Sequence, residues 1–402
     1  MKENILSEIF DAKLVDEILK CDIVEVPEGT QLRHVGEDIN TIPIVLNGVV
    51  RVFRNDFKGG EIPIYNINPG ESCIISIDST FKKYKFPAIG ISNTKTKIAL
   101  IPKEKSFKWF EEFPDWRKFV INLYSKRLNE LVKALDISAE QQNEIKDKNK
   151  SITSSIEYAR RIQNAVLFSE DILDKNNIDH FIFFKPKDIV SGDFYWINKS
   201  YDKFIIIAAD ATGHGVPGAF MSMLGIAFLN EIVDLEINNI TPSEILNKLR
   251  EKVKTTLKQS GKISETKDGM DMAVCILDQN TLQLQYSGAN IPLYIIKKDS
   301  NEINVIKPTR QPVGIYPKEK PFINNSVQLE KGDIIYLFSD GFVDQFGGSK
   351  NQKYSYKNFR KLLLSNSNKE MTEQKIIINN DFDIWKKDAQ QIDDVLVMGM
   401  KV

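Results

Sequence analysis

The chain has 402 residues, with 54 Lys and Arg against 55 Asp and Glu and a formal net charge of −1 at pH 7. This balance, without a long block of like charge, argues against a broad basic surface for DNA or RNA. The length predicts two or three domains. No signal-peptide run opens the sequence and no stretch approaches the ~18 apolar residues of a membrane span, so we expect a cytoplasmic protein without a membrane partner.

The first third of the chain changes from helical to strand patterning and back. Residues 1–20 predict a short helix with one apolar face. From about 21 to 103, alternating runs such as TIPIVL, VVRVFRN and IPIYNI are separated by turn signals that include Asn47-Gly48 and Pro69-Gly70. These features predict a compact all-β roll or barrel. Apolar residues at helical spacing return over about 104–135.

A narrow apolar seam crosses the polar segment 136–166. Its members recur every seven residues, with two more filling the seam: Ile145, Ile152, Ala159 and Val166, then Ile156 and Ile162. Such a seam is typical of a two-stranded coiled coil, which would make the chain a homodimer. One amphipathic helix lying on the next domain gives the same pattern. Both interpretations stay open for the first half, and a packed helix is favoured from Ile156 onward.

Strands and helices alternate from about 178 to the end. Seven apolar runs predict strands: HFIFFK, KFIIIAAD, DMAVCILD, TLQLQYSG, PLYIIKK, DIIYLFSD and DVLVMGM. Helices are predicted at about 217–236, 242–259, 356–365 and 370–387. Thr241 followed by Pro242 is a clear start signal for the second of these helices.

Four acidic positions share one local design, in which an aspartate stands beside an apolar strand and next to small or flexible residues. They are Asp193 in SGDF, Asp210 in ADATGHG, Asp340 in FSDG and Asp393 in QIDDV. A single Asp-Gly pair is an ordinary turn signal. Several carboxylates at strand ends are costly unless they are solvated, paired or bound to cations. Together they predict a site for hard divalent cations.

The residue types narrow the chemistry. Carboxylate oxygens suit Mg²⁺ or Mn²⁺, whereas zinc would favour His and Cys. The sequence has three histidines, and its three cysteines, Cys21, Cys73 and Cys275, are scattered and favour buried thiols. Carboxylate-bridged metals suit in-line attack of an activated water on a phosphate ester. The pattern therefore indicates a phosphatase.

One motif points elsewhere. Gly213, Gly215 and Gly218 satisfy the G-x-G-x-x-G spacing of a dinucleotide-binding loop, after a strand and at a helix start. Asp210 would place negative charge beside the pyrophosphate, and the expected second strand with an acidic end ~20 residues on is missing. We therefore do not favour a nicotinamide or flavin site.

The ordered motifs SGDFYW, ADATGHGVPGAFMS, GMDMAVCILD, YSGANIPLY, LFSDGFVDQ and DDVLVMGM resemble those of SpoIIE-like (RsbU-like) serine phosphatases. These belong to the metal-dependent PPM family. The resemblance implies an α/β/β/α sandwich with two Mn²⁺ or Mg²⁺ ions. It implies a phosphoserine or phosphothreonine protein substrate, typically a small anti-sigma-factor antagonist.

The same resemblance assigns roles to individual residues. Asp193 would be a metal ligand, Asp210 would bridge both metals with help from the Ala211 carbonyl, and Asp340 would bind the second metal. Asp393 matches the usual ligand of the closing pair, with Asp394 as a supporting or alternate ligand. An arginine for the substrate phosphate is not evident near the first motif. Lys185 and Lys187 are the available cations, either for phosphate steering or as solvated strand-edge lysines.

Residues 20–135 resemble the Crp/Fnr-type cyclic-nucleotide-binding fold through VLNGVVRVFR, IYNINPGESCIIS and KFPAIGISNTKTKIALIP. Gly70 and Glu71 match its Gly-Glu pair. Where that family places an arginine for the cyclic phosphate, this chain has Lys85 within KYKFPA, and lysine cannot reproduce the bidentate contact. Cyclic nucleotide is therefore not favoured as the sensor ligand.

The predicted fold is an α+β multidomain chain. A β-roll sensor with flanking helices takes 1–135, a helical linker 136–170, and the phosphatase sandwich 171–402. The predicted function is metal-dependent dephosphorylation of a partner phosphoprotein under control of the sensor. The alternative is a non-catalytic pseudophosphatase that serves as a ligand-responsive scaffold.

Overall fold

The computed structural model describes residues 4–82, 84–167, 170–236, 240–260 and 267–402. The chain divides into two compact units, Met1–Lys146 and Asp147–Val402. The division falls within one long helix, Pro114–Leu167. The predicted domain bounds at 135/136 and 170/171 stay predictions.

The N-terminal unit is a β-roll with helices at both ends. Its strands are β1 (Asp22–Val26), β2 (Gln31–Arg33), β3 (Thr41–Asn47), β4 (Val50–Asn55), β5 (Glu61–Ile67), β6 (Ile89–Ser92) and β7 (Thr96–Pro102). Its helices are α1 (Asn4–Ser7), α2 (Ala12–Leu19), α3 (Ile74–Lys82), α4 (Lys103–Glu112) and α5 (Pro114–Leu167). The strands pair antiparallel in two sheets, of order β1-β7-β3 and β2-β6-β4-β5.

Two expectations for this unit were wrong. The single helix over 1–20 is two helices, because Asp11 caps α2 and its side chain accepts a hydrogen bond from the Leu14 N–H at 2.8 Å. The unit is also not all-β, since α3 crosses it. The α3 sequence is rich in isoleucine, which also favours strands, so local pattern does not separate the two.

The C-terminal unit contains two five-stranded antiparallel sheets. Its strands are β8 (Asp179–Lys185), β9 (Phe194–Ser200), β10 (Lys203–Ala211), β11 (Met270–Asp278), β12 (Gln283–Ala289), β13 (Leu293–Ile296), β14 (Ile303–Ile306), β15 (Asn325–Gln328), β16 (Ile334–Phe338), β17 (Phe346–Gly347), β18 (Gln352–Lys353) and β19 (Val395–Lys401). The sheet orders are β15-β12-β11-β10-β9 and β14-β13-β16-β19-β8, with β17 and β18 forming a separate hairpin.

Helices cover the outer faces of both sheets. The helices of this unit are α6 (Glu170–Lys175), α7 (Gly215–Glu236), α8 (Pro242–Thr256), α9 (Gly341–Asp344), α10 (Ser355–Asn366) and α11 (Met371–Lys386). Of these, α7 and α8 cover the first sheet, and α10 and α11 cover the second. Leu229 of α7 and Leu249 of α8 pack on the first sheet, and Phe382 of α11 packs on the second. Ile206 and Leu337 belong to the core between the sheets. The layers are therefore α/β/β/α, and the α+β fold class is confirmed.

The start of α8 follows the sequence signal. Thr241 and Glu244 form a capping box, with Pro242 in the first turn. The four helices predicted from the pattern of this region correspond to α7, α8, α10 and α11 within a few residues.

The last turns of α5, which belong to the C-terminal unit, pack within it through a different face than the sequence suggested. Leu167 is in the core, and the Gln163 amide donates to the Ser191 carbonyl at 2.7 Å. Ile162 and Val166, expected on the packed seam, remain 49% and 41% exposed. The seam therefore stays on the surface of this chain.

One helical segment in the described ranges, Gly215–Asp234 of α7, is long and apolar enough to cross a membrane by length and composition alone. No stretch approaching this length was expected from the sequence. In the structure 44% of this window is buried, and Leu229 and Val233 lie in the core. A core helix passes the same composition test.

Candidate metal centre

Strand pairing brings the predicted aspartates to one edge of the sandwich. Asp193 precedes β9, and Asp210 is near the end of its neighbour β10, where Ala209 pairs with Phe194. In the second sheet, Asp340 follows β16 and Asp393 precedes its antiparallel neighbour β19. Because antiparallel neighbours begin and end at the same edge, each sheet supplies two of these residues.

The carboxylates affect one another strongly. Burial raises the pKa of Asp193, and the charges of Asp394, Asp393 and Asp340 raise it further. Burial also raises the pKa of Asp210, followed by the charges of Asp193 and Asp340. Asp210 also interacts with the Asp340 side chain and lowers its pKa, although burial raises that pKa more. A bound cation would relieve the repulsion among these clustered charges.

Asp340 stays accessible to solvent. The pKa of its carboxyl is nevertheless raised, first by partial burial and then by the charge of Asp344. Although Asp340 stands at the N-terminus of α9, its side chain makes no capping hydrogen bond. Its carboxylate is therefore not used as an ordinary turn or cap, which was the competing interpretation of Asp340-Gly341.

Asp193 provides the test of whether a cation fits here. The residue is 2% exposed, and its carboxyl hydrogen-bonds the Ser339 side chain. Its Oδ2 atom is buried without a hydrogen-bond partner. Leaving a buried carboxylate oxygen unpaired is costly, and a cation would satisfy it. Within the described ranges, no three Asp, Glu, His or Cys side chains already converge on one cation position, so the ligand set remains a proposal.

The two neighbouring aspartates of the last motif, Asp393 and Asp394, have different surroundings. Asp394 is 2% exposed, and its two carboxylate oxygens accept the backbone N–H groups of Lys187 and Gly192, each at 2.7 Å. Asp394 therefore holds both ends of the segment between β8 and β9 that leads into Asp193. Asp393 is only half-buried, and its Oδ1 accepts the Asp394 N–H at 2.9 Å. This bonding does not support Asp394 as an alternate metal ligand and leaves Asp393 as the candidate.

Three glycines let the backbone close around these side chains. A Cβ on Gly218 would lie 2.9 Å from the Gly192 Cα and closer still to the Gly213 carbonyl oxygen. A Cβ on Gly192 would likewise lie too close to the Gly213 carbonyl oxygen and 3.1 Å from the Ala211 carbonyl oxygen. The G-x-G-x-x-G spacing therefore reflects close packing of the Asp193 and Asp210 loops.

The Ala211 carbonyl lies beside the same loops. Met270 is the cross-strand neighbour of Ala211, but it donates its N–H to Val313 at 3.1 Å. That N–H is therefore not a partner for the Ala211 carbonyl. The backbone position agrees with the predicted auxiliary role of this oxygen, which stays a prediction.

Asp271 lies at the same edge of the sandwich. It pairs with Asp210 across β10 and β11, and its Oδ1 accepts from the Asn290 amide at 2.8 Å. Burial raises its pKa to about 6, with Asn290 lowering it and Asp340 raising it. Its position between Met270 and Met272 gives no local signal of a site, because cross-strand pairing with Asp210 places it here.

The two predicted phosphate-steering lysines differ in their surroundings. The Lys185 ammonium pairs with Asp383 of α11 at 2.5 Å, so its charge is already compensated. Burial raises the pKa of Asp393, and the nearby Lys187 and His214 act in the opposite direction. His214 Nδ1 lies 2.7 Å from Asp188 Oδ2. Lys187 is therefore the better candidate of the two lysines.

The predicted sensor-pocket residues do not line the cavity of the β-roll. Glu71 pairs with Arg127 at 3.0 Å and with Lys126 of α5. Gly70 packs beside Ile9, and Lys85 is exposed. Lys83, in the same segment, lies outside the described residues. Their assignment to a ligand pocket is not supported by these positions.

Comparison with known proteins agrees with the architecture of the C-terminal unit. A sequence model of the family stage II sporulation protein E (SpoIIE) matches residues 200–402. Phosphoserine phosphatase RsbU of Bacillus subtilis (strain 168) is 26% identical over 239 residues, covering 57% of this chain and 68% of RsbU. The SiaA-PP2C domain of Pseudomonas aeruginosa is 28% identical, with a TM-score of 0.57, covering 63% of this chain and 98% of that domain.

The N-terminal unit is similar to the catabolite activator protein of Thermus thermophilus. The identity is 20%, the TM-score is 0.29, and the match covers 44% of this chain and 75% of that protein. A score this low carries no argument by itself. The case for a Crp/Fnr-type fold therefore depends on the β-roll and flanking helices seen here.

The paired sheets and outer helices of the C-terminal unit define a PPM phosphatase, a metal-dependent class. More narrowly, the chain belongs to the SpoIIE family. It is a protein serine/threonine phosphatase.

Proposed function

We propose that the clustered aspartates bind two Mn²⁺ or Mg²⁺ ions and that the chain removes phosphate from phosphoserine or phosphothreonine on a partner protein. The observation that carries this proposal is the buried, unpartnered Oδ2 of Asp193 among carboxylates that raise its pKa. Bound cations would polarise the phosphoryl oxygens and activate water. The proposed ligands are Asp193, Asp210, the Ala211 carbonyl, Asp340 and Asp393.

The remaining residues hold this set in position. Asp394 fixes the loop that precedes Asp193 through its bonds to Lys187 and Gly192. Ser339 holds one oxygen of Asp193, and the Ser339 hydroxyl also accepts the Leu396 N–H at 3.0 Å. Lys187 supplies positive charge on the Asp393 side, where an anionic phosphate would approach.

The partner we propose is a small phosphorylated anti-sigma-factor antagonist. The support is the similarity to RsbU, a phosphoserine phosphatase. We place the reaction in the cytoplasm, where free thiols such as Cys73 and Cys275 stay reduced.

The test is phosphate release from p-nitrophenyl phosphate and from a phosphoserine peptide, with and without Mn²⁺. Asp210→Asn should reduce metal-dependent turnover at least about hundredfold, because it removes the proposed bridging charge. Asp333→Asn is the matched control, since Asp333 is also buried but lies at the opposite end of β16 from Asp340. Activity that is independent of metal, or equal loss in both variants, would contradict the proposed site.

We also propose that the N-terminal unit regulates this activity through α5 and that the chain is a homodimer. The support is the seam along α5, where Ile145 and Ile152 are 59% and 58% exposed and lie seven residues apart. Exposed apolar residues at this spacing on a polar helix suit a second copy of the same helix.

Replacing both Ile145 and Ile152 with Asp should turn the dimer into a monomer, measured by sedimentation. Ile384→Asp is the control, because Ile384 is 70% exposed on α11, away from the seam. A wild-type monomer, or a dimer that survives the double substitution, would contradict the coiled coil while leaving the metal site untouched.

A further inference from the structure

The inside of the β-roll contains a cavity of about 100 Å³. Protein interiors seldom contain voids much larger than a water molecule, and an empty one lowers stability in proportion to its volume. The walls come from both sheets of the roll, with Val45 of β3, Val52 of β4 and Ile67 of β5 among them. Phe86 and Cys73 complete the wall and are 1% and 2% exposed.

The cavity is unsuited to a phosphate. Arg33 is the one cationic residue among the described residues that line it, and its charge is already used. The Arg33 guanidinium donates to Glu37 at 2.8 Å and to the Thr41 hydroxyl at 2.7 Å. Without a free cation, the desolvation free energy for moving an anion into such an apolar space would be far larger than that for moving an uncharged ligand there.

One polar atom in the wall is free to bind. Ser76 is completely buried, lines the cavity, and its hydroxyl has no hydrogen-bond partner in the described structure. A buried hydroxyl without a partner is costly, and a ligand carrying one polar group would satisfy it. An engineered apolar cavity of similar size, about 150 Å³, takes up benzene.

We propose that this cavity is a binding site for a small uncharged apolar molecule of about six to seven heavy atoms, carrying at most one hydroxyl that bonds Ser76. This goes beyond the phosphatase function and does not depend on it.

Contacts within the N-terminal unit connect the cavity wall to α5. The Cys73 thiol lies 3.4 Å from the Tyr65 hydroxyl. The Arg127 guanidinium of α5 stacks over the Tyr65 ring, 4.4 Å from its centre, and also pairs with Glu71. A ligand that moves Cys73 or Ser76 would therefore act on the residues that hold α5 against the roll.

The test is calorimetric titration of the full chain with benzene, phenol and cyclic AMP. We expect saturable binding of benzene and phenol, one per chain, and none of cyclic AMP. Ser76→Ala should lower phenol affinity about fivefold, the worth of one hydrogen bond, and leave benzene unchanged. Ser79→Ala is the matched control, because Ser79 is also buried and unpartnered on α3 but does not line the cavity.

A second variant, Val52→Phe, fills the cavity and should lower the affinity for both aromatic probes at least about tenfold. Absence of saturable binding, or unchanged binding in Val52→Phe, would overturn the proposal. So would cyclic AMP binding that phenol displaces, which would make this a nucleotide site. If Val52→Phe does not fold, the comparison of Ser76→Ala with Ser79→Ala still tests the proposal. Equal phenol affinity in these two variants would show that phenol does not bind beside Ser76.

Discussion

Gly218→Ala is the sharpest test of how the metal centre is assembled. A Cβ at this position would lie 2.9 Å from the Gly192 Cα, whereas ordinary contact begins at 3.4 Å, so the backbones must separate by about 0.5 Å or more. The loops that would move are those that carry Asp193 and Asp210. Catalytic groups must be held within about 0.5 Å, and a 1 Å error costs about a hundredfold in rate. We therefore expect kcat/KM to fall about ten- to hundredfold.

The assay is Mn²⁺-dependent hydrolysis of p-nitrophenyl phosphate, with circular dichroism and thermal unfolding to confirm that the variant folds. Gly225→Ala is the matched control in the same helix, because its Cβ would meet side-chain atoms of Met270 and Phe194 rather than backbone atoms. Alanine also favours helix over glycine by up to about 1 kcal/mol, so stability should not collapse in either variant. A folded Gly218→Ala enzyme with activity within about threefold of wild type, or an equal loss in Gly225→Ala, would refute the reasoning.

Two further predictions concern other aspartates. Asp394→Asn should lower the free energy of unfolding by about 1–3 kcal/mol in urea titrations, because asparagine has one acceptor oxygen for two backbone N–H groups. Asp393→Asn should leave the free energy of unfolding unchanged and weaken Mn²⁺ binding at least about tenfold. The reverse pattern would exchange the roles of the two residues. For Asp333, burial alone would raise the pKa, but bonds from Lys297 and two backbone N–H groups outweigh it and hold the pKa below its ordinary value. Its contribution is present above the unfolded pKa of about 3.9 and is lost as the pH falls through the folded pKa, so wild type should exceed Asp333→Asn by about 1–3 kcal/mol at pH 7 and by progressively less toward pH 3. A difference that does not change with pH would contradict this.

Apolar runs located most elements of the C-terminal unit because strand and helix periods are local properties. They also located the aspartates at strand ends, which is why Asp210 and Asp340 could be proposed before their neighbours were known. The strand order could not be obtained in this way. Strand β8 pairs with β19, so Val395 lies directly opposite Lys185, although more than half of the sequence of the C-terminal unit separates the two residues. No local pattern specifies such a pairing.

Side-chain partners were the least predictable feature. Lys185 and Glu71 each looked available for a ligand in the sequence, yet Asp383 and Arg127 compensate them. Their partners lie 198 and 56 residues away in the chain. A charged residue near a motif therefore predicts a ligand contact only when its folded neighbours leave it uncompensated, as they do for the Oδ2 atom of Asp193.

The same G-x-G-x-x-G spacing can serve two kinds of site, because both require a tight turn and a close approach of another group. Gly213 and Gly215 have positive φ values of 87° and 63°, which provide a tight turn after β10. Gly218 then allows the backbone of Gly192 to approach the start of α7 closely. A dinucleotide loop needs the same turn and the same approach, but there the approaching group is a pyrophosphate. Here it is the backbone next to Asp193. The glycines therefore cannot distinguish the two sites, and the residue that does so is Asp210, whose negative charge would repel a pyrophosphate and attract a cation.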